Sequence, residues 1–111
     1  MKCFAFTREL RNNPKAITAY QQYHRNVWPE IEHTQRRLGV KTIKIFLRGR
    51  RLFLSIETTD EYDPERALAE YMRGPKVVEW ERLMEGVFEK QLPEAQGGEW
   101  WLPMETVYTL E

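Results

Sequence analysis

An α+β fold with a four-stranded antiparallel sheet is expected for this 111-residue chain, on three grounds. Residues 40 to 59 alternate apolar and polar about a Gly-Arg pair, as the two arms of a β-hairpin do. Prolines 14, 29, 64 and 75 each stand at the head of a stretch with apolar residues at helical spacing. Strand-like runs open and close the chain.

Residues 2 to 10 mix aromatic and alternating polar residues and stop at Asn12-Asn13-Pro14, a turn cluster that can cap a helix. From Lys15, Ile17, Tyr20, Tyr23, His24, Val27, Ile31 and Leu38 recur at the spacing of one helix face, ending at Gly39. Pro29 removes a backbone donor and disfavours helical backbone at Trp28. Two helical pieces, 15 to 26 and 29 to 38, with a kink between them are therefore expected.

With Gly49-Arg50 as a two-residue turn, Leu47 faces Leu52, Ile45 faces Leu54 and Ile43 faces Ile56 on one side of the hairpin. Phe46 then meets Phe53, Lys44 meets Ser55 and Thr42 meets Glu57 on the other, and a one-residue slip would scramble both faces. Asp63-Pro64-Glu65 reads as an N-cap with proline in the first helical position. Gly74-Pro75 ends that helix and starts another running to about Lys90, through Val77, Trp80, Met84 and Val87. After Pro93 and a Gly97-Gly98 loop, a last strand is expected from Met104 to Leu110. The order β-α-β-β-α-β, with the second helical segment split, is the ferredoxin-like arrangement, here of the dimeric α/β-barrel type.

The length suits a single domain over residues 1–111. At 41% hydrophobic and 31% charged the chain can fill a core, so global disorder is excluded. Basic and acidic residues balance at zero net charge, which argues against nucleic acid or an anionic membrane surface as partner and favours a neutral small molecule or a protein. Cys3 is the only cysteine, so no internal disulfide and no cysteine-based zinc site can form. The N-terminus meets charge too early for a signal peptide, and no run approaches the ~18 apolar residues of a membrane span. A soluble protein of the reducing cytoplasm is expected. One sheet face would be left bare of helices, with Phe46 and Phe53 on it, so a homodimer packed sheet to sheet is expected, with a pocket in each protomer between sheet and helices.

Tyr20, His24 and Trp28 recur every fourth residue, followed by Pro29-Glu30. A histidine, a phenol and an indole suit a sugar: imidazole moves a proton near neutral pH, the hydroxyl hydrogen-bonds, and the indole stacks on a pyranose face. The same stripe suits a core in which the histidine bonds a backbone carbonyl, and periodicity leaves both readings open. Trp80-Glu81 and Trp100-Trp101 can stack on a ligand; packing explains Trp80 equally well, and a plug between protomers explains Trp100 and Trp101. His33 reads as a solvated helix residue, Glu30 and Glu32 are not placed as a carboxylate pair, and a metal site is not indicated. Arg48, Arg50 and Arg51 read as a solvated hairpin tip. Phosphate-loop and nucleophile-elbow motifs are absent.

At Tyr20-x-x-x-His24-x-x-x-Trp28-Pro29-Glu30 the chain resembles the L-rhamnose mutarotase family, and the likeness spans nearly its whole length: the hairpin, Glu57-Thr58, Trp80 with Leu83-Met84, and Val107-Tyr108. The resemblance implies a cofactor-free, dimeric sugar mutarotase with His24 as the acid-base residue and Tyr20 in the sugar pocket; Trp28, Trp80, Glu81 and Trp101 complete the candidate substrate-binding set. Two positions depart from rhamnose-specific members: Ile43 replaces a pocket tyrosine, and Trp80-Glu81 replaces two adjacent tryptophans. Tyr62-Asp63-Pro64, Pro75 to Val78, Glu79-Trp80-Glu81 and Gly98-Glu99-x-Trp101-x-Pro103-Met104 are similar to a branch associated with L-fucose. The expected activity is interconversion of the anomers of L-rhamnose or L-fucose. A heme- or quinone-binding barrel oxygenase and a non-catalytic dimeric interaction module are the competing classes.

Overall fold

The computed structural model describes residues 1–88 and 101–110. Its elements run β1 (Lys2–Glu9), α1 (Pro14–Arg25), α2 (Pro29–Arg37), β2 (Val40–Arg48), β3 (Arg51–Thr58), α3 (Pro64–Tyr71), α4 (Pro75–Glu85) and β4 (Leu102–Met104). The sheet order is β2-β3-β1-β4, with every pairing antiparallel, as the ferredoxin-like arrangement requires.

The hairpin has the expected register. Leu47 meets Leu52, Ile45 meets Leu54 and Ile43 meets Ile56, while Phe46 meets Phe53, Lys44 meets Ser55 and Thr42 meets Glu57. Gly49 has φ 60°, and no other residue type in the described chain takes a positive φ, so the turn needs its glycine at the first central position. Arg50 and Arg51 are not merely solvated: both pair with the Glu9 carboxylate, at 3.2 and 2.6 Å, tying the hairpin tip to the end of β1.

Asn13 caps α1, its side-chain oxygen accepting from the Lys15 amide at 2.9 Å, and Asp63 does the same for the Glu65 amide of α3 at 3.2 Å. Trp28 is extended (φ −59°, ψ 134°), as the residue before a proline should be. The expected kink is therefore a full break over residues 26 to 28. Gly39, at φ 106°, turns the chain from α2 into β2.

Two expectations fail at the C-terminal side. α4 stops at Glu85 rather than Lys90, because beyond Gly86 the chain turns to the sheet: Arg11 donates to the Val87 carbonyl at 2.9 Å, and Leu10 bridges Phe88. The last strand covers Leu102–Met104 only, and residues 105 to 110 are irregular. Val107, Tyr108 and Leu110 have the residue types of a strand, but they lie 90%, 67% and 84% exposed, and strand preference acts through burial against neighbours. Pro103 is tolerated because β4 is an edge strand. The Gly97-Gly98 loop lies outside the described residues.

The core lies between the helices and one sheet face, around Leu10, Leu52, Tyr20, Ile31, Tyr71, Val77, Trp80, Met84 and Phe88. The other sheet face is open, with Phe46 55% and Phe53 36% exposed and their rings 5.9 Å apart.

Candidate active site

Between the helices and the sheet lies a cavity of about 480 Å³, within the size range of small-molecule sites. α1 supplies Tyr20 and His24, one turn apart on its buried side. α4 supplies Trp80 and Glu81, α3 supplies Tyr71, and the apolar face of the hairpin supplies Ile43, Ile45 and Leu54 as a floor. Trp101 and Phe88 close one side; Glu32, Gln35, Arg36 and Lys41 line another.

His24 is held on two sides. Its Nδ1 lies 2.9 Å from the Tyr20 carbonyl, and its ring lies 4.1 Å from the Tyr20 ring and 5.6 Å, edge-on, from Trp80. An acceptor carbonyl makes Nδ1 the protonated nitrogen, which leaves the Nε2 lone pair as the free basic site. Burial pulls the imidazole below its ordinary value, against the Tyr20 carbonyl, which pulls the other way. The ring is therefore neutral near pH 7. The carbonyl bond expected of a core histidine and a cavity-lining position coexist in the same residue.

Tyr20 is buried, and desolvation, with the Glu81 charge adding to it, pushes its phenol far up, so it stays a neutral hydroxyl. Tyr71 donates its hydroxyl to Glu81 Oε1 at 2.9 Å. Burial raises the Glu81 carboxyl, while the Tyr71 hydrogen bond and the Arg8 charge work against that rise. A carboxyl moved toward neutrality and an imidazole moved the same way can exchange protons with a bound molecule at modest cost.

Five of the six residues singled out from the sequence, Tyr20, His24, Trp80, Glu81 and Trp101, line this one cavity. Trp28 does not. It packs edge-on against Trp80, with ring centres 5.3 Å apart, from within the break between α1 and α2. Trp100 lies outside the described residues. Tyr71 and Gln35 were missed, although each has a helical signal: Tyr71 follows Ala67 by four residues on the buried stripe of α3, and Gln35 follows Ile31 by four on α2. Arg8, on β1, stacks its guanidinium 4.1 Å from the Phe88 ring centre. Among the described residues no three His, Cys, Asp or Glu side chains converge to hold a metal, and no helix is long and apolar enough to cross a membrane.

The model of the family described as L-rhamnose mutarotase matches residues 3–110. The chain belongs to the L-rhamnose mutarotase family. It is 30% identical over 112 residues to the L-fucose mutarotase of Xanthomonas campestris pv. campestris, spanning 99% of this chain and 89% of that one. It is 39% identical over 113 residues to a UPF0734 protein of Dictyostelium discoideum, spanning 99% and 90%. The fold is that of the L-rhamnose mutarotase of Formosa agariphila (TM-score 0.74, 21% identity, 100% of both chains). Tetracenomycin F2 cyclase of Streptomyces glaucescens shares it too (TM-score 0.66, 13% identity, 100% of this chain and 98% of that one). The chain is thus an isomerase of the mutarotase class, and its reaction interconverts sugar anomers.

Proposed function

We propose that this mutarotase acts on a 6-deoxy-L-hexose, L-fucose ahead of L-rhamnose, in the cavity between sheet and helices, as a cytoplasmic homodimer. The observation that carries the reading is the convergence of Tyr20, His24, Trp80 and Glu81 on that cavity. Trp80 offers an indole to the apolar face of a pyranose, Tyr20 a neutral hydroxyl, and the aliphatic floor at Ile43, Ile45 and Leu54 suits the methyl group of a 6-deoxy sugar. Preference for L-fucose is supported by Ile43 and Glu81 in place of a tyrosine and a tryptophan, and by the named relative from Xanthomonas.

Mutarotation removes the proton of the anomeric hydroxyl and adds one to the ring oxygen. The C1–O5 bond breaks, an aldehyde forms, rotation about C1–C2 exposes its other face, and the steps reverse. His24 Nε2 handles one of these protons. Positioned groups of this kind contribute typically about 10²- to 10⁴-fold.

The homodimer reading is supported by the open sheet face, where Phe46, Phe53 and Met104 are exposed, and by the exposed apolar side chains of residues 107 to 110.

Saturation-transfer proton NMR tests the reading: the α-anomeric signal of equilibrated L-fucose, and separately of L-rhamnose, is irradiated with and without protein. Protein-dependent transfer to the β signal, faster for L-fucose, is expected. Equal transfer in the absence of protein for both sugars would refute it.

A further inference from the structure

We propose that Glu81 carries the second proton of the reaction, opposite His24, and that Tyr71 is the residue that positions its carboxyl. This rests on the mutarotase reading above and names the group that reading leaves open. Of the other titratable side chains that line the cavity, Glu32, Arg36 and Lys41 are exposed to solvent, which leaves three candidates: Tyr20, Tyr71 and Glu81.

Geometry separates them. The Tyr71 hydroxyl is already committed, donating to Glu81 Oε1 at 2.9 Å, and its ring is buried at the end of α3. That bond fixes one carboxyl oxygen and leaves Oε2 to meet a bound sugar. Glu81 on α4 and His24 on α1 line the same cavity, and the Glu81 charge is felt at Tyr20, one turn from His24. Tyr20 is a poorer partner, since a buried phenol held far from ionising near neutrality is a weak acid and gives its proton to O5 at greater cost.

The step balances. As His24 Nε2 takes the O1 proton, the Glu81 carboxyl gives its proton to O5; the C1–O5 electrons go to oxygen, and the O1–H electrons form the carbonyl. On reclosure Glu81 recovers the proton from the C5 hydroxyl and His24 returns one to O1. Nothing is consumed, and the enzyme ends in its starting protonation state.

The two residues must therefore share one proton. With both protonated there is no base, and with both ionised or neutral as bases there is no acid, so the rate falls at both ends of the pH range, with apparent values belonging to the pair. Facing Glu81 are Tyr71 from α3, Arg8 from β1, Tyr20 from α1 and Glu85 on its own helix; facing His24 is Tyr20; Glu32, Arg36 and Lys41 line the same cavity. If His24 worked with Tyr20 instead, the rate would rise as His24 loses its proton and stay high past pH 9.

The experiment is the enzyme-dependent exchange rate from pH 4.5 to 9.5, with the uncatalysed rate subtracted at each pH, for wild type, Glu81→Gln and Tyr71→Phe. Wild type should give a bell. Glu81→Gln keeps an acceptor for the Tyr71 hydroxyl, should lose at least about 10²-fold in kcat, and its residual rate should no longer fall at alkaline pH. Tyr71→Phe should retain more activity, with the alkaline limb displaced to higher pH, because the bond that favours the ionised carboxyl is gone; a merely structural tyrosine would leave that limb in place. A wild-type rate that stays high to pH 9.5, or a Glu81→Gln enzyme altered in KM alone, overturns the proposal while leaving the mutarotase reading standing. A wild-type protein inactive on both sugars removes the two together.

Discussion

His24 Nδ1 stands 2.9 Å from the carbonyl oxygen of Tyr20, one turn back along α1. That contact fixes the tautomer of the imidazole and aims its basic nitrogen away from the helix backbone. The Tyr20 carbonyl thus does for His24 what a carboxylate does in many acid-base sites, without adding a charge to the cavity.

His24→Ala should lower the mutarotation rate by about 10²-fold or more. The imidazole is only half-buried, and the helix around it keeps its own backbone bonds, so the loss of stability should stay within about 2 kcal/mol. Exchange NMR and thermal unfolding of the same sample check both statements; a folded, fully active variant would remove His24 from the chemistry.

Stability should depend on pH through the same ring. Burial holds the folded imidazole below its unfolded value, so the unfolded state binds more protons at and below about pH 6.5, and stability falls as the medium is acidified. Glu81 has the opposite sign: its raised carboxyl costs stability as pH rises from about 4.3 through its folded value. Urea unfolding of wild type and His24→Gln at pH 5 and pH 7.5 isolates the first effect. The wild type should gain more than the variant between the two values, and equal gains would count against a depressed histidine.

Trp28 and Trp80 should separate cleanly. Trp80 is 4% exposed and touches the rings of Tyr23, His24 and Trp28, so Trp80→Ala should cost about 3 to 5 kcal/mol and reduce the fluorescence response to sugar to what Trp101 contributes. Trp28→Phe, at a side chain outside the cavity lining, should weaken the fold by a smaller amount and leave KM within about twofold. Chemical denaturation and a sugar titration followed by fluorescence make the comparison; a large KM change in Trp28→Phe would place that indole in the site after all.

The open face gives a fourth expectation. Phe46→Glu puts a carboxylate on a surface whose rings are already exposed in the protomer, so the protomer itself should remain folded. Sedimentation velocity should show wild-type dimer converted to monomer. Monomeric wild type would dispose of the sheet-to-sheet assembly.

Much of this architecture is legible in the sequence because the signals are local and mutually consistent. The hairpin register follows from period-two alternation around Gly49, and the helix starts follow from Asn13-Pro14, Trp28-Pro29, Asp63-Pro64 and Gly74-Pro75. What misleads is the C-terminal side. There Val107, Tyr108 and Leu110 have strand propensity without a burying surface, and Val87 and Phe88 continue a helical spacing although Gly86 already marks the end. In the site, His24 and Trp80-Glu81 stand out by residue type and spacing. Tyr71 does not, because its partner is ten residues away on another helix and only the fold brings the two side chains together. The spacing leaves Trp28 open, because the proline after it lets the indole swing toward or away from the Tyr20–His24 face, and only the fold shows it packed against Trp80.

The break at residues 26 to 28 also bends a straight line. Tyr20, His24, Ile31 and Gln35 fall on one stripe of an ideal helix, and on an unbroken rod Tyr20 and Gln35 would stand about 22 Å apart, far beyond the span of one sugar ring. Interrupting the helix lets both ends of that stripe line one cavity. The Xaa-Pro step before α2 thus converts a one-dimensional array of side chains into an enclosure, with Tyr20 and His24 on one helix and Ile31 and Gln35 on the next.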